Sequence, residues 1–167
     1  MRLEIKAVGV GGQGIQFLGR VLAHAAVIEG LHATFTGSYG AEVRGTPSWA
    51  DVVVSTEPVT YPFCESPSVL VCMFPPLLEK IEVKAERVYV NSQAPVPGAV
   101  TVDAEGAAAR VAGRGVLGNM VMAAFVSARE RIASLSSLKA AVREEGFPLP
   151  ELNFKALEEG WRLAEVV

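Results

Sequence analysis

One stretch, Val8-Gly9-Val10-Gly11-Gly12-Gln13-Gly14, constrains this chain more than any other, because it joins an apolar strand to a long helix. Residues 3–8 alternate in polarity and then turn apolar, as a strand entering a core does. Residues 15–28 carry apolar side chains at helical spacing. A strand, a glycine-rich turn and a helix in that order place backbone N–H groups at the positive end of a helix dipole. Such a turn holds a phosphate or another anion.

The rest of the chain continues the alternation. Residues 31–36 read as a second strand and residues 47–55 as a third, β-branched at its end. Residues 56–68 contain Pro58, Pro62 and Pro67 and form an irregular crossing. Residues 69–74 and 87–91 are further strands and residues 99–102 a weaker one; Pro75-Pro76 open a short helix to about Ile81. From Asp103 the chain turns helical: to Ala112, then over 118–132, 135–145 (with Ser134 or Ser136 as N-cap) and 150–166. The pattern predicts one three-layer α/β/α domain over residues 1–167, with a mostly parallel or mixed sheet, a Rossmann-like glycine loop after the first strand and a helical C-terminal third.

Composition narrows the function. A net charge of -3 and a pI near 5.5, with no basic run, argue against a nucleic-acid surface. No apolar run approaches a membrane span and the chain enters a strand almost at once, so a cytoplasmic protein without a signal peptide is expected. The two cysteines, Cys64 and Cys72, form no CxxC pair and lie far in sequence from His24 and His32, so no metal or cluster site is expected from this chain alone. Half of the residues are hydrophobic, and mean hydropathy is +0.33; apolar surface is left over for a partner.

The spacing Gly9-x-Gly11-x-x-Gly14 fits a dinucleotide fingerprint, which also asks for an acidic residue at the end of the second strand to hold a ribose. Here that strand ends Phe35-Thr36-Gly37 with no carboxylate, and no Gly-Lys-Ser/Thr follows for a P-loop. A stand-alone NAD or FAD oxidoreductase is the alternative reading. Glycines that serve only a tight turn, in an interaction module, are the third. In a parallel sheet the loops after the first and second strands share one edge, so Tyr39, Glu42 and Arg44 stand beside Gly11, Gly12, Gln13 and Gly14. A surface ion pair of Glu42 with Arg44 is the bland alternative, but Tyr-x-x-Glu-x-Arg between glycines is dense in functional groups for a connector.

These motifs, Gly9 to Gly14, Ser38-Tyr39-Gly40-Ala41-Glu42-Val43-Arg44-Gly45 and Ser55-Thr56-Glu57-Pro58-Val59, resemble the gamma subunit of 2-oxoacid:ferredoxin oxidoreductases. The resemblance continues through Gly118-Asn119-Met120-Val121 and Leu152-Asn153-Phe154-Lys155-Ala156-Leu157-Glu158-Glu159-Gly160, and so covers nearly the whole chain in order. It implies one part of a heteromeric enzyme that decarboxylates a 2-oxoacid with thiamine diphosphate, passes electrons through iron–sulfur clusters to ferredoxin and hands the acyl group to coenzyme A. The implied partners are the alpha and beta subunits and a ferredoxin-like delta subunit, which carry the thiamine and the clusters. No cofactor is expected on this chain alone, and it supplies no catalytic residue. The resemblance makes residues 11–14 and Arg44 candidates for coenzyme A phosphates, with Glu42 orienting Arg44 and Tyr39 on an adenine or a partner. Thr46-Pro47 look like pyruvate-type members, whereas Ser38-Tyr39 look like 2-oxoglutarate and branched-chain members. A histidine-containing loop of the indolepyruvate kind is absent, and Trp49 stands where a small residue is expected. The mild favourite is 2-oxoglutarate. Outside the loops, Asn119 reads as a helix cap ahead of an interface contact, Met120 and Met122 as core or interface packing, His24 as a packed or solvated mid-helix residue, and Trp161 as an anchor against the sheet or a partner.

Overall fold

The computed structural model describes residues 1–38 and 47–167. Tyr39, Glu42 and Arg44 lie outside the described residues. Six strands form one sheet: β1 (Arg2–Val10), β2 (His32–Gly37), β3 (Pro47–Ser55), β4 (Val69–Cys72), β5 (Arg87–Asn91) and β6 (Val100–Val102). Their spatial order is β2-β3-β1-β4-β5-β6. β1, β4, β5 and β6 are parallel neighbours, whereas β3 is antiparallel to both β1 and β2. The sheet is therefore mixed, with β3 alone reversed. β2 still runs in the same direction as β1, so both strands end at one edge, as the sequence predicts.

Alternation along the strands sorts their side chains onto two unequal layers. Leu3, Ile5 and Ala7 of β1, Ala50, Val52 and Val54 of β3, and Val69 and Val71 of β4 face the main core. That core is covered by α1 (Ile15–Ile28), α2 (Ala104–Ala112), α3 (Gly118–Glu130), α4 (Leu135–Glu144) and α5 (Pro150–Val166). On the opposite face Val8, Leu70, Cys72 and Val90 meet Leu77 of a short 3-10 turn, Pro75–Glu79, and the irregular chain around it.

α3 is apolar around nearly its whole circumference, and residues 118–127 are all buried. Such a helix must sit between layers. It lies under α5 and beside α1, with Met120 and Met122 in the core. Trp161 of α5 is partly buried against the same core. α2 is capped by Asp103, whose carboxylate accepts from Gly106 N at 3.0 Å, and α4 by Ser134, whose hydroxyl accepts from Ser137 N at 3.2 Å. Among the described residues no helix is long and apolar enough to cross a membrane.

Candidate functional site

The glycine loop begins where β1 stops. A turn closed by Gln13 N donating to Val10 O (3.2 Å) carries the chain through Gly11 and Gly12 to Gly14, the N-cap of α1. Gly12 and Gly14 take φ of 91° and 69°, the left-handed region that only glycine enters at no steric cost. Gly14 is doubly required, since a Cβ there would collide with the amide of Asn119. Asn119 Nδ2 donates to Gly14 O at 3.1 Å and so fixes the loop to the start of α3. The first-turn N–H groups of α1 have no partner within the helix and carry the positive end of its dipole.

A cleft of about 340 Å³ opens on this side of the loop. Its floor is Val10, Gly11, Gly12 and Gly14, with Ile15, Gln16 and Phe17 of α1 rising from it. Arg114, Val116 and Leu117 stand on one side with Asn119 and Met120 of α3. Phe147, Pro148 and Leu149, which join α4 to α5, make the far wall with Asn153. The lining is chiefly apolar. Phe17, Val116 and Leu149 are exposed by 44%, 58% and 49%, an apolar rim that a folded chain does not leave to water without reason. Arg114 is the ionisable side chain among the described lining residues.

Two side-chain amides, Gln16 half-buried and Asn153 buried, shape this cleft. Gln16 Nε2 donates to Trp49 O (2.9 Å), Ser38 Oγ (3.2 Å) and Ser48 Oγ (3.3 Å), tying the first turn of α1 to the ends of β2 and β3. Ser48 itself lines the cleft. Asn153 Nδ2 donates to Pro148 O (2.9 Å) and Leu149 O (3.1 Å), holding the far wall to α5.

The other side of the loop is closed. Gln13 Oε1 accepts from Val10 N at 2.9 Å, and its Nε2 donates to Met73 O (2.9 Å) and Glu105 Oε1 (3.1 Å). Asn91 reinforces the seal: Nδ2 donates to Met73 O at 3.1 Å, and Oδ1 accepts from Ala104 N (3.0 Å) and Glu105 N (3.2 Å). This is the crevice beyond the carboxyl ends of β1 and β4, where the strand order changes direction and open α/β sheets bind nucleotides. Here side-chain amides fill it.

Of the residues singled out in the sequence, Gly11, Gly12 and Gly14 line the cleft, while Gln13 turns away into the sealed side. Asn119 corrects its expected role: the N-cap of α3 is Leu117, with no side-chain cap, and Asn119 spends its amide on Gly14 and its Oδ1 on Met120 N at 2.9 Å. Sequence reading missed Phe17, Leu149 and Arg114. A signal for Arg114 was present, a cation between Gly113 and Gly115 just ahead of the most apolar helix.

The cysteines offer no nucleophile to this site. Burial, reinforced by the charges of Asp51 and Glu4, pushes the Cys64 thiol up to about 12, and burial also raises Cys72. Among the described residues no three His, Cys, Asp or Glu side chains gather as metal ligands. The cleft is arranged for binding: anion-seeking N–H groups and one guanidinium at the edge of an apolar trough.

Fold and cleft together define a glycine-loop α/β domain with its binding space on the helical face of the sheet. The chain belongs to the pyruvate ferredoxin/flavodoxin oxidoreductase family, whose model matches residues 4–163. It is 50% identical over 74 residues to the 2-oxoglutarate synthase subunit KorC of Methanothermobacter marburgensis, a match covering 44% of this chain and 40% of that relative. Over nearly full length it is 29% identical to the pyruvate/ketoisovalerate oxidoreductases common subunit gamma of Thermococcus kodakarensis, covering 95% of each. The crystal structure of the gamma subunit of a keto/oxoacid ferredoxin oxidoreductase from Geobacter sulfurreducens superposes with a TM-score of 0.83 at 26% identity, over 99% of this chain and 98% of that one. The chain thus spans about two-fifths of the length of the KorC relatives it matches and nearly all of the gamma subunits.

Proposed function

We propose that this chain is the gamma subunit of a cytoplasmic, coenzyme A-dependent 2-oxoacid:ferredoxin oxidoreductase, with 2-oxoglutarate as the favoured oxoacid. The observation that carries the reading is the open cleft beside the glycine loop, in a chain alike over nearly its whole length to a common gamma subunit. The local identity to KorC favours 2-oxoglutarate over pyruvate and branched-chain oxoacids. Alpha and beta subunits and a ferredoxin-like delta subunit are the proposed partners, with ferredoxin as acceptor.

The cleft residues fit a coenzyme A arm. Gly11, Gly12 and the first-turn N–H groups of α1 suit its phosphates, Arg114 adds a cation at the mouth, and the apolar trough suits the pantetheine chain. When bound, coenzyme A supplies the thiol that takes the acyl group. Every contribution of this chain is placement: it orients the carrier, and the apolar walls exclude water. Thiamine diphosphate and the iron–sulfur clusters are assigned to the partner subunits. Arg44, Glu42 and Tyr39 complete the proposed phosphate and adenine contacts.

Purification of the native complex tests the assignment. Co-elution of this chain with a thiamine-binding subunit and an iron–sulfur protein, with 2-oxoglutarate-dependent ferredoxin reduction, is the expected result. A solitary chain that retains NAD or FAD would overturn it. In the assembled complex, Arg44→Ala is expected to weaken apparent coenzyme A affinity about tenfold, a loss of one charge-assisted contact. An unchanged affinity removes Arg44 from that role.

A further inference from the structure

The far wall of the cleft hangs on a helix strapped to α1 at both ends, and the two straps differ chemically. α4 runs antiparallel to α1. At its N-terminus, Glu29 Oε1 accepts from Ser134 N (2.8 Å) and Ser137 Oγ (2.7 Å). At its C-terminus, His24 lies between two carboxylates, with Nδ1 at 2.8 Å from Glu145 Oε1 and Nε2 at 2.7 Å from Glu144 Oε2. Arg20, one turn earlier on α1, takes the other oxygen of Glu145.

Ionised carboxylates only accept hydrogen bonds, and a neutral imidazole has a single N–H to donate. Two simultaneous bonds from one ring therefore describe the imidazolium. A neutral ring must aim a lone pair at one carboxylate oxygen, and that contact opens. Burial by itself lowers the basicity of His24, but the hydrogen bonds and charges of Glu145 and Glu144 outweigh it and hold the pKa above its ordinary value.

Directly after this strap comes the cleft wall. Gly146 and Leu149, with φ of 69° and 54°, bracket Phe147 and Pro148 as two left-handed pivots. Phe147 packs edge-on against Phe17, ring centroids 4.7 Å apart, and the Arg20 guanidinium lies 5.8 Å from its ring centre. The wall is thus held by the same turn of α1 that carries Arg20, and by the helix end that His24 and Arg20 clamp.

We propose that His24 with Glu144 and Glu145 is a pH-sensitive clamp on the cleft: the imidazolium form holds the 146–149 wall closed on Phe17, and the neutral form releases it. Among the described residues, the charged groups facing His24 are Glu144 and Glu145 at the end of α4 and, through Glu145, Arg20 of α1. The other α4 charges point elsewhere: Lys139 pairs with Glu158, and Arg143 lies 4.5 Å from the Phe154 ring centre, both on α5. The clamp works whatever occupies the cleft, so it stands or falls separately from the coenzyme A reading.

The sign follows from the direction of the shift. A group whose pKa is raised on folding contributes stability fully below the unfolded value near 6.5, and that contribution disappears as pH rises through the folded value. The test is amide hydrogen exchange by NMR on the full-length chain between pH 5.5 and 8.5. The readout is the protection of Gly146 and Phe147, which donate to Arg143 O and Val142 O, relative to Leu138 at the Glu29 end. The expected result is a relative protection that falls as the His24 ring titrates, by roughly tenfold for each unit of raised pKa. In His24→Gln, which keeps one bond but cannot ionise, the ratio is expected to be flat across this range. Glu144→Gln, an exposed change that leaves the fold intact, is expected to shrink the fall and move His24 titration to lower pH. A ratio that stays constant while wild-type His24 titrates, or one that falls equally in His24→Gln, overturns the clamp.

Discussion

The two sides of the glycine loop make an instructive comparison, because one backbone turn serves opposite ends. Toward β4 and α2 the loop is sealed by Gln13, whose amide satisfies Val10 N, Met73 O and Glu105. Toward α3 and α5 it is open: Asn119 holds Gly14, and an apolar cleft lies beyond. A dinucleotide fold uses the first side. This chain fills that side with polar side chains and leaves room on the second. The difference teaches that a glycine fingerprint specifies a turn and a dipole but not the direction from which a ligand arrives. That direction belongs to the side chains standing around the turn.

The comparison is broken most severely at Gly14. Gly14→Ala puts a Cβ into the Asn119 amide at a left-handed φ, and the combined strain and overpacking are expected to cost about 2–4 kcal/mol. Urea unfolding measures it; a loss below about 1 kcal/mol would mean the loop and α3 can part freely, and the open side is not held by Asn119.

Opening the sealed side comes next. Gln13→Ala leaves Met73 O with its bond from Asn91, so the orphaned group is chiefly Val10 N–H, and about 1–2 kcal/mol of stability is expected to be lost. The same titration reads it. Nicotinamide or flavin nucleotides remain the informative ligands here: if the variant gains affinity for them over wild type, Gln13 is what excludes them from the crevice.

A smaller effect is expected at the acid end of the α4 straps. The Glu29 carboxyl is held at about 2 by the Ser134 hydroxyl and N–H and the Ser137 hydroxyl. Its pKa is lowered on folding, so its contribution is present above the unfolded value near 4.5 and is lost as pH falls toward 2. Glu29 is solvent-exposed, which limits its size. Thermal unfolding of Glu29→Gln between pH 2 and 6 is expected to show a shallower acid decline than wild type; parallel curves would remove Glu29 as the strap.

The smallest change in stability is expected at the rim. Val116→Asp alters a side chain 58% exposed and is expected to stay within about 0.5 kcal/mol of wild type in the isolated chain. Capture of the proposed partner subunits is where it is expected to act, if they cover this apolar rim, by placing a charge in their path. Wild-type assembly in that variant would show that the rim faces a small molecule and not a subunit.

Much of this architecture was legible in the sequence because it depends on local periodicity. The strand–glycine–helix unit, the C-terminal helix at Pro150–Val166 and the apolar α3 follow from hydrophobic spacing and from Gly and Pro placement. The reversal of β3 was not legible. Residues 47–55 alternate as any half-buried strand does, and only pairing with β1 and β2 gives them a direction. His24 was read as a packed or solvated residue, since nothing at position 24 announces carboxylates 120 and 121 positions away.

By itself, then, the amino-acid order determined that a glycine turn would stand at the head of α1, since its steric requirements are those of the residues in the turn. Tertiary structure decided everything about approach: that Gln13 faces inward, that Asn119 grips Gly14, and that Phe147 and Leu149 wall an open cleft. The physical reason is range. Backbone preference acts over a few residues, whereas a cleft is the space left when segments distant in sequence pack against one another, and only the packed chain defines that space.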